Sequence, residues 1–186
     1  PIPTGSCSPT AYKRYKMVTI LETRREACPP LKLTGRRYTD ADRDAGGSFA
    51  AQWGQWFQNN WFAPLVREGV AGFHNSYVGA MRITEAGFEY WIGVFMAPEA
   101  PVPQGYEAVE IPAGDLGVCF LYGKDSSPDL FGMDAHEACV AAWQERGWTP
   151  SGWFLERYNC PRYTVPDEKG NVILDYCAYL LPISKE

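Results

Sequence analysis

The sequence predicts an α+β fold built from two pseudo-symmetric βαββ halves on an antiparallel sheet. Three observations carry this reading. Short runs of alternating apolar and polar residues recur along the chain. Two segments place apolar residues at helical spacing. The order strand, helix, hairpin occurs twice.

In order, residues 1–16 hold Pro1, Pro3, Gly5 and Pro9 followed by Lys13, Arg14 and Lys16, and read as a tail without chemistry. A strand starts within Met17 to Glu22. Pro29-Pro30 enforces extended backbone, and Leu31 to Tyr38 alternates as a strand. A polar loop with Gly46-Gly47 leads to Ser48, read as the N-cap of a helix. Phe49, Trp53, Trp56 and Phe57 fall on one apolar stripe of that helix, and Trp53, Trp56 and Phe57 are expected in the core. Pro64 ends or restarts it. Tyr77 to Ile83 and Phe88 to Met96 form a hairpin closed near Gly87, completing a half of about 17–97.

The second half, about 105–184, repeats the plan. Gly105 to Pro112 and Asp115 to Tyr122 are strands around Ala113-Gly114. Ser127-Pro128 reads as an N-cap and first turn. The helix that follows presents Phe131, Ala135, Ala138, Cys139 and Ala142, and stops at Gly147. Trp153 to Tyr158 is a strand, and Val172 to Ile183 a last, long one. The triplets Phe88-Glu89-Tyr90 and Leu174-Asp175-Tyr176 echo each other in the last strand of each half.

Composition limits the function. With 17 basic and 22 acidic residues the net charge is −5, which argues against a direct nucleic-acid partner, because phosphate binding needs a basic face. No apolar run approaches the ~20 residues of a membrane span, and the expectation is a soluble, cytoplasmic protein. The six cysteines are scattered without CxxC spacing and His74 and His136 have no ligand-like neighbours, so neither a metal nor another cofactor is expected. Both histidines read as structural or surface residues and the thiols as reduced. No Gly-x-Ser-x-Gly elbow occurs, and Gly46-Gly47 lacks the lysine of a phosphate loop. A core of this size can absorb the 7 Trp, 11 Tyr and 9 Phe, but Tyr and Trp carry polar tips that want partners, and they often line ligand sites.

Several short motifs, taken in order, resemble the GyrI-like small-molecule-binding domain, which is also the effector-binding part of AraC- and MerR-type multidrug regulators. They are Tyr90-Trp91-Ile92-Gly93-Val94, Val109-Glu110-Ile111-Pro112-Ala113-Gly114, Leu155-Glu156-Arg157-Tyr158 and Leu180-Leu181-Pro182-Ile183. The resemblance covers about 17–184. It implies a standalone single domain over 17–186 with a central aromatic cleft that takes a hydrophobic, planar or cationic small molecule. No helix-turn-helix segment is visible in the sequence, and the region from Met17 to Pro30 is longer than the family pattern.

Glu156 lies mid-strand, and the two-residue period puts Phe154, Glu156 and Tyr158 on one face. A carboxylate there is either a solvated strand residue paired with an arginine, or a desolvated charge in a cleft that attracts a cation or acts as a base. The resemblance favours the second, since the matching glutamate of multidrug-binding relatives faces the pocket. Tyr90 and Trp91 point to opposite faces, so only one of them lines a given cleft. Tyr77, Tyr122 and Tyr176 are further candidates for ligand contact. Some standalone relatives hydrolyse cyclopropane-bearing toxins. In that chemistry Glu156 would be the base, and Tyr158 or Tyr122 the hydrogen-bond donor to a developing oxyanion. Other relatives inhibit DNA gyrase, and the acidic charge would suit such a protein partner; an effector-sensing partner of a transcription regulator is the remaining alternative.

Overall fold

The computed structural model describes residues 18–68, 76–127 and 130–182. The tail, Cys7, His74 and Pro128 lie outside them. Strands β1 (Thr19–Cys28), β2 (Leu31–Tyr38), β3 (Ser76–Thr84), β4 (Gly87–Met96), β5 (Glu107–Ile111), β6 (Gly114–Gly123), β7 (Pro150–Asn159) and β8 (Val172–Leu180) form one antiparallel sheet. Helices α1 (Ala50–Gln58) and α2 (Phe62–Glu68) join β2 to β3, and α3 (Met133–Gln144) joins β6 to β7.

The strand order is β1-β6-β8-β7-β3-β4-β2-β5. Exchanging β1 with β5, β2 with β6, β3 with β7 and β4 with β8 gives the same order read backwards, so the two halves are related by a pseudo-two-fold axis between β3 and β7. Each half is the expected βαββ unit preceded by one extra strand. That extra strand crosses over: β1 pairs with β6 of the second half, and β5 with β2 of the first.

The strand periodicity sorts residues onto two faces. On one face α1 and α2 cover β4, with Trp56, Phe62 and Leu65 packed on Ile92, Val94 and Met96. On the same face α3 covers β6 and β8, with Ala135, Cys139 and Trp143 packed on Cys119, Leu121, Leu174 and Ala178. Among the described residues no helix covers the opposite face. Its cluster includes Cys28, Leu33, Val78, Trp91, Ile111, Val118, Leu155 and Cys177, one from each of the eight strands, and the sheet coils around it. Buried charges on that face are paired. Arg157 donates to Glu26 at 2.9 Å and to Asp175 at 3.2 Å, and Arg162 holds Asp175 at 2.6 and 2.7 Å. Burial acts to raise the pKa of Glu26, but the guanidiniums of Arg157 and Arg24 outweigh it and leave the pKa lowered.

Several boundaries differ from the sequence expectation. β1 runs on to Cys28 because it is an edge strand, whose exposed charges hide the alternation. Ser48 precedes the cap position of α1: its hydroxyl accepts from Ala50 N and donates to Asp44. Pro64 sits in the first turn of α2, where a missing N–H costs nothing. α3 begins after Gly132, whose φ of 90° only glycine adopts easily, so Ser127 is not its cap. β8 stops at Leu180, ahead of Pro182.

Candidate functional site

The two helical layers leave the central strands β3 and β7 uncovered between them. A cleft of about 1180 Å³ opens there. Its floor is the helix-side face of the sheet: Tyr77 and Met81 on β3, Tyr90 on β4, Phe154, Glu156 and Tyr158 on β7, and Tyr176 on β8. Its walls are Phe49, Trp53 and Phe57 from the first helical layer and Phe131, Ala135 and His136 from the second.

Glu156 is the centre of this arrangement. Its Oε2 accepts a hydrogen bond from the Tyr90 hydroxyl at 2.9 Å and one from the Tyr158 hydroxyl at 3.0 Å. The Trp53 indole N–H donates to the Tyr90 oxygen at 3.0 Å, which leaves the Tyr90 proton directed to the carboxylate. Glu156 makes no ion pair among the described residues. Burial pushes its pKa up, while the two tyrosine hydrogen bonds pull the other way without restoring the ordinary value. The tyrosines respond in turn. Burial first, and then the adjacent carboxylate, push Tyr90 and Tyr158 well above the usual phenol range, so both remain donors.

Room for this cluster comes from Gly79, directly opposite Glu156 in the β3–β7 register. A Cβ at that position would lie 2.6 Å from the Tyr90 hydroxyl and 2.8 Å from Glu156 Oε2. Aromatic rings close the site. Phe49 stacks on Tyr90 at 4.2 Å, and Tyr158 meets Trp53 edge-on at 4.7 Å and Tyr163 at 4.8 Å. Tyr77 stacks on Phe62 at 3.7 Å.

Six of the eight residues singled out in the sequence meet at the cleft: Tyr77, Tyr90, Phe154, Glu156, Tyr158 and Tyr176. Trp91 does not. It lies 4% exposed in the cluster that the sheet coils around, where its N–H reaches Glu89 at 3.3 Å; the alternation therefore assigns the cleft to Tyr90. Tyr122 is also elsewhere. On β6 the helix side belongs to Cys119 and Leu121, so Tyr122 points away and donates to Asp167 at 2.5 Å.

Trp53 and Phe57 were expected in the core, yet they line the cleft, and Phe57 is 58% exposed; of the three, only Trp56 is fully buried. A stripe of four aromatics, wider than one packing contact needs, was the available signal. His136 was expected to be structural or at the surface. It borders the cleft one position from Ala135, which with Cys139 forms the buried stripe of α3, and nothing in the sequence marked it.

Among the described residues, no group of His, Cys, Asp or Glu is placed to hold a metal ion, and no helix is long and apolar enough to cross a membrane. No protein-family model matches the chain, and no curated protein matches it in sequence. Solved structures do resemble it. One is a protein of Staphylococcus aureus MU50 described as a candidate bacterial transcription regulator, with a TM-score of 0.65 at 17% identity over 87% of this chain and 99% of that one. SAV2435, solved with tetraphenylphosphonium, matches with a TM-score of 0.63 at 17% identity over 87% of this chain and 94% of that one. The EcmrR C-terminal domain matches with a TM-score of 0.52 at 9% identity, over 87% and 98%. In an EcmrR–DNA complex the match, at 11% identity and a TM-score of 0.52, covers 87% of this chain and 58% of the longer EcmrR chain.

Proposed function

We propose that this chain of GyrI-like fold binds bulky aromatic cations in the central cleft, with Glu156 as the countercharge. The observation that carries this is an acid with no ion-pair partner among the described residues, held by two tyrosines at the floor of an aromatic cleft. Burying a lone carboxylate is costly, and a cation entering the cleft relieves that cost. Aromatic faces add cation–π attraction of roughly 0.5–2 kcal/mol each. The likeness to SAV2435, solved with a lipophilic cation, supports this ligand class. The likeness to the EcmrR C-terminal domain supports an effector-sensing use of the same binding.

The test is a titration with tetraphenylphosphonium and with neutral triphenylphosphine oxide, read through the summed tryptophan fluorescence to which Trp53 contributes from the cleft. Saturable cation binding in the micromolar range is expected. Glu156→Gln should weaken the cation at least tenfold and leave the neutral compound unchanged. Absence of saturable cation binding below about 1 mM would sink the reading.

A second reading, hydrolysis of cyclopropane-bearing toxins, rests on the contact between the Glu156 carboxylate and the Tyr158 hydroxyl. Glu156 would take a proton from water as the water oxygen bonds to a ring carbon. The ring C–C bond breaks and its electron pair moves into the conjugated carbonyl. Tyr158, turned from Glu156 to that carbonyl oxygen, would hydrogen-bond the developing charge, and the substrate then takes up a proton. Mass spectrometry of the ring-opened water adduct decides this. Equal rates for wild type and Glu156→Gln remove Glu156 as a base.

A further inference from the structure

The cleft holds a second polar pair, between α3 and β8. His136 Nδ1 and the Tyr176 hydroxyl are 2.9 Å apart. The His136 ring meets Phe154 edge-on at 4.9 Å, and Tyr176 lies directly opposite Glu156 in the β7–β8 register. Both residues border the cleft.

The pair differs from its counterpart in the first half. There an indole, which can only donate, fixes the direction of the Tyr90 hydroxyl, and that hydroxyl is used up on Glu156. Among the described residues the His136 ring nitrogens and the Tyr176 hydroxyl hydrogen-bond only to each other, and His136 Nε2 has no hydrogen-bond partner. An imidazole has two tautomers. When Tyr176 donates to Nδ1, Nε2 carries the proton and donates; when Nδ1 donates to Tyr176, Nε2 accepts. Burial lowers the His136 pKa despite the opposing effect of Glu137, which keeps the ring in this neutral, two-tautomer form.

We infer that His136, oriented by Tyr176, is a specificity-determining contact that hydrogen-bonds a polar substituent on the cation, such as an aryl amine, hydroxyl or carbonyl. Glu156 recognises the charge, and His136 recognises what the ring system carries beside it. A neutral imidazole suits this place because it meets donors and acceptors alike without adding a second positive charge near the ligand. This inference rests on the cation-binding reading above.

A matched pair of flat cations tests it: methylacridinium, which has no hydrogen-bonding group, and its diamino derivative. Wild type is expected to prefer the diamino cation about tenfold, the worth of one good hydrogen bond. His136→Phe should abolish that preference, the diamino cation losing about tenfold relative to methylacridinium. Tyr176→Phe preserves the ring and removes the orienting hydroxyl, and should reduce the preference severalfold. Glu156→Gln should weaken both cations equally and leave the preference intact. Equal binding of the two cations to wild type, or a preference that survives His136→Phe, overturns the inference while cation binding stands. If neither cation binds wild type, the underlying reading falls and takes this one with it. Thermal melts of both variants accompany the titrations, and a preference abolished only in a variant whose melting transition is lost counts against the inference.

Discussion

The two halves of the molecule use the same frame and fill it differently. In the first, Arg82 and Met81 on β3 face Glu89 and Tyr90 on β4; in the second, Arg157 and Glu156 on β7 face Asp175 and Tyr176 on β8. Each half therefore has an ion pair on the coiled face and a tyrosine on the cleft face. Each tyrosine meets a ring nitrogen from its own helix, Trp53 or His136. The contrast lies in one position. Met81 of the first half corresponds to Glu156 of the second, so the cleft carries a single central acid, off the axis. Structural positions are duplicated, and the chemistry is not.

The coiled face offers the largest test of this contrast. Asp175 is 0% exposed and holds two arginines, whereas Glu89 is 8% exposed and its partners Arg37 and Arg82 reach solvent. Removing one member of a buried pair costs about 3–5 kcal/mol. Asp175→Asn is expected near the low end of that range and Glu89→Gln at about 1 kcal/mol, measured by urea denaturation. Equal losses would mean that the halves are alike on this face.

Gly79→Ala comes next. Its methyl group would press on Tyr90, Glu156 and Trp53 together, for an overpacking cost of about 1–3 kcal/mol. Cation affinity should fall with it, since the three atoms nearest such a methyl group belong to Tyr90, Glu156 and Trp53 and none to the His136–Tyr176 pair. An unchanged melting temperature together with unchanged cation binding would show that the cluster needs no glycine.

Glu156→Gln is expected to act in the opposite direction on stability. Because the folded-state pKa is raised, the native protein binds this proton more tightly than the unfolded chain. Stability contributed by the proton is present below the ordinary carboxylate range and is lost as pH rises through the folded pKa. The glutamine variant should match wild type in acid and melt a few degrees higher at neutral pH. Cation affinity of the wild type should rise over that same window and then level off. A glutamine variant that is less stable at neutral pH would refute the desolvation argument.

The smallest effect belongs to Trp53→Phe, which keeps the ring and removes one N–H. A loss of about 1 kcal/mol and of severalfold in cation affinity is expected by calorimetry. His136→Phe should act instead on the preference between substituted and unsubstituted cations. Similar behaviour of the two would erase the contrast.

How much of this was readable beforehand follows from the range of the forces involved. β2 reads from sequence to the residue, because one of its faces is buried against neighbours on both sides. Phe154, Glu156 and Tyr158 share a face by strand geometry alone, and that face proved to be the cleft floor. The echo of Glu89-Tyr90 in Asp175-Tyr176 also marked equivalent positions. The crossing of β1 and β5 was not readable, since strand pairing across 90 residues leaves no local trace. Tyr122 was misplaced for a related reason: an aromatic residue on a strand does not declare its face until its neighbours do. His136 was invisible because its role depends on Tyr176, 40 residues away.

The crossing strands have a consequence for how such a molecule can be divided. Each half lends its first strand to the edge of the other, which is the geometry of a segment-swapped homodimer whose subunits have been joined end to end. In a true homodimer every substitution appears twice. A glutamate at the Glu156 position would appear at the Met81 position as well, on the adjoining strand and about 7 Å away. Two carboxylates that close in a dry cleft resist ionising together. Fusion into one chain removes that constraint: one copy keeps the acid, the other takes an apolar thioether, and the pocket gains a charged end and a greasy end that an identical pair could not have.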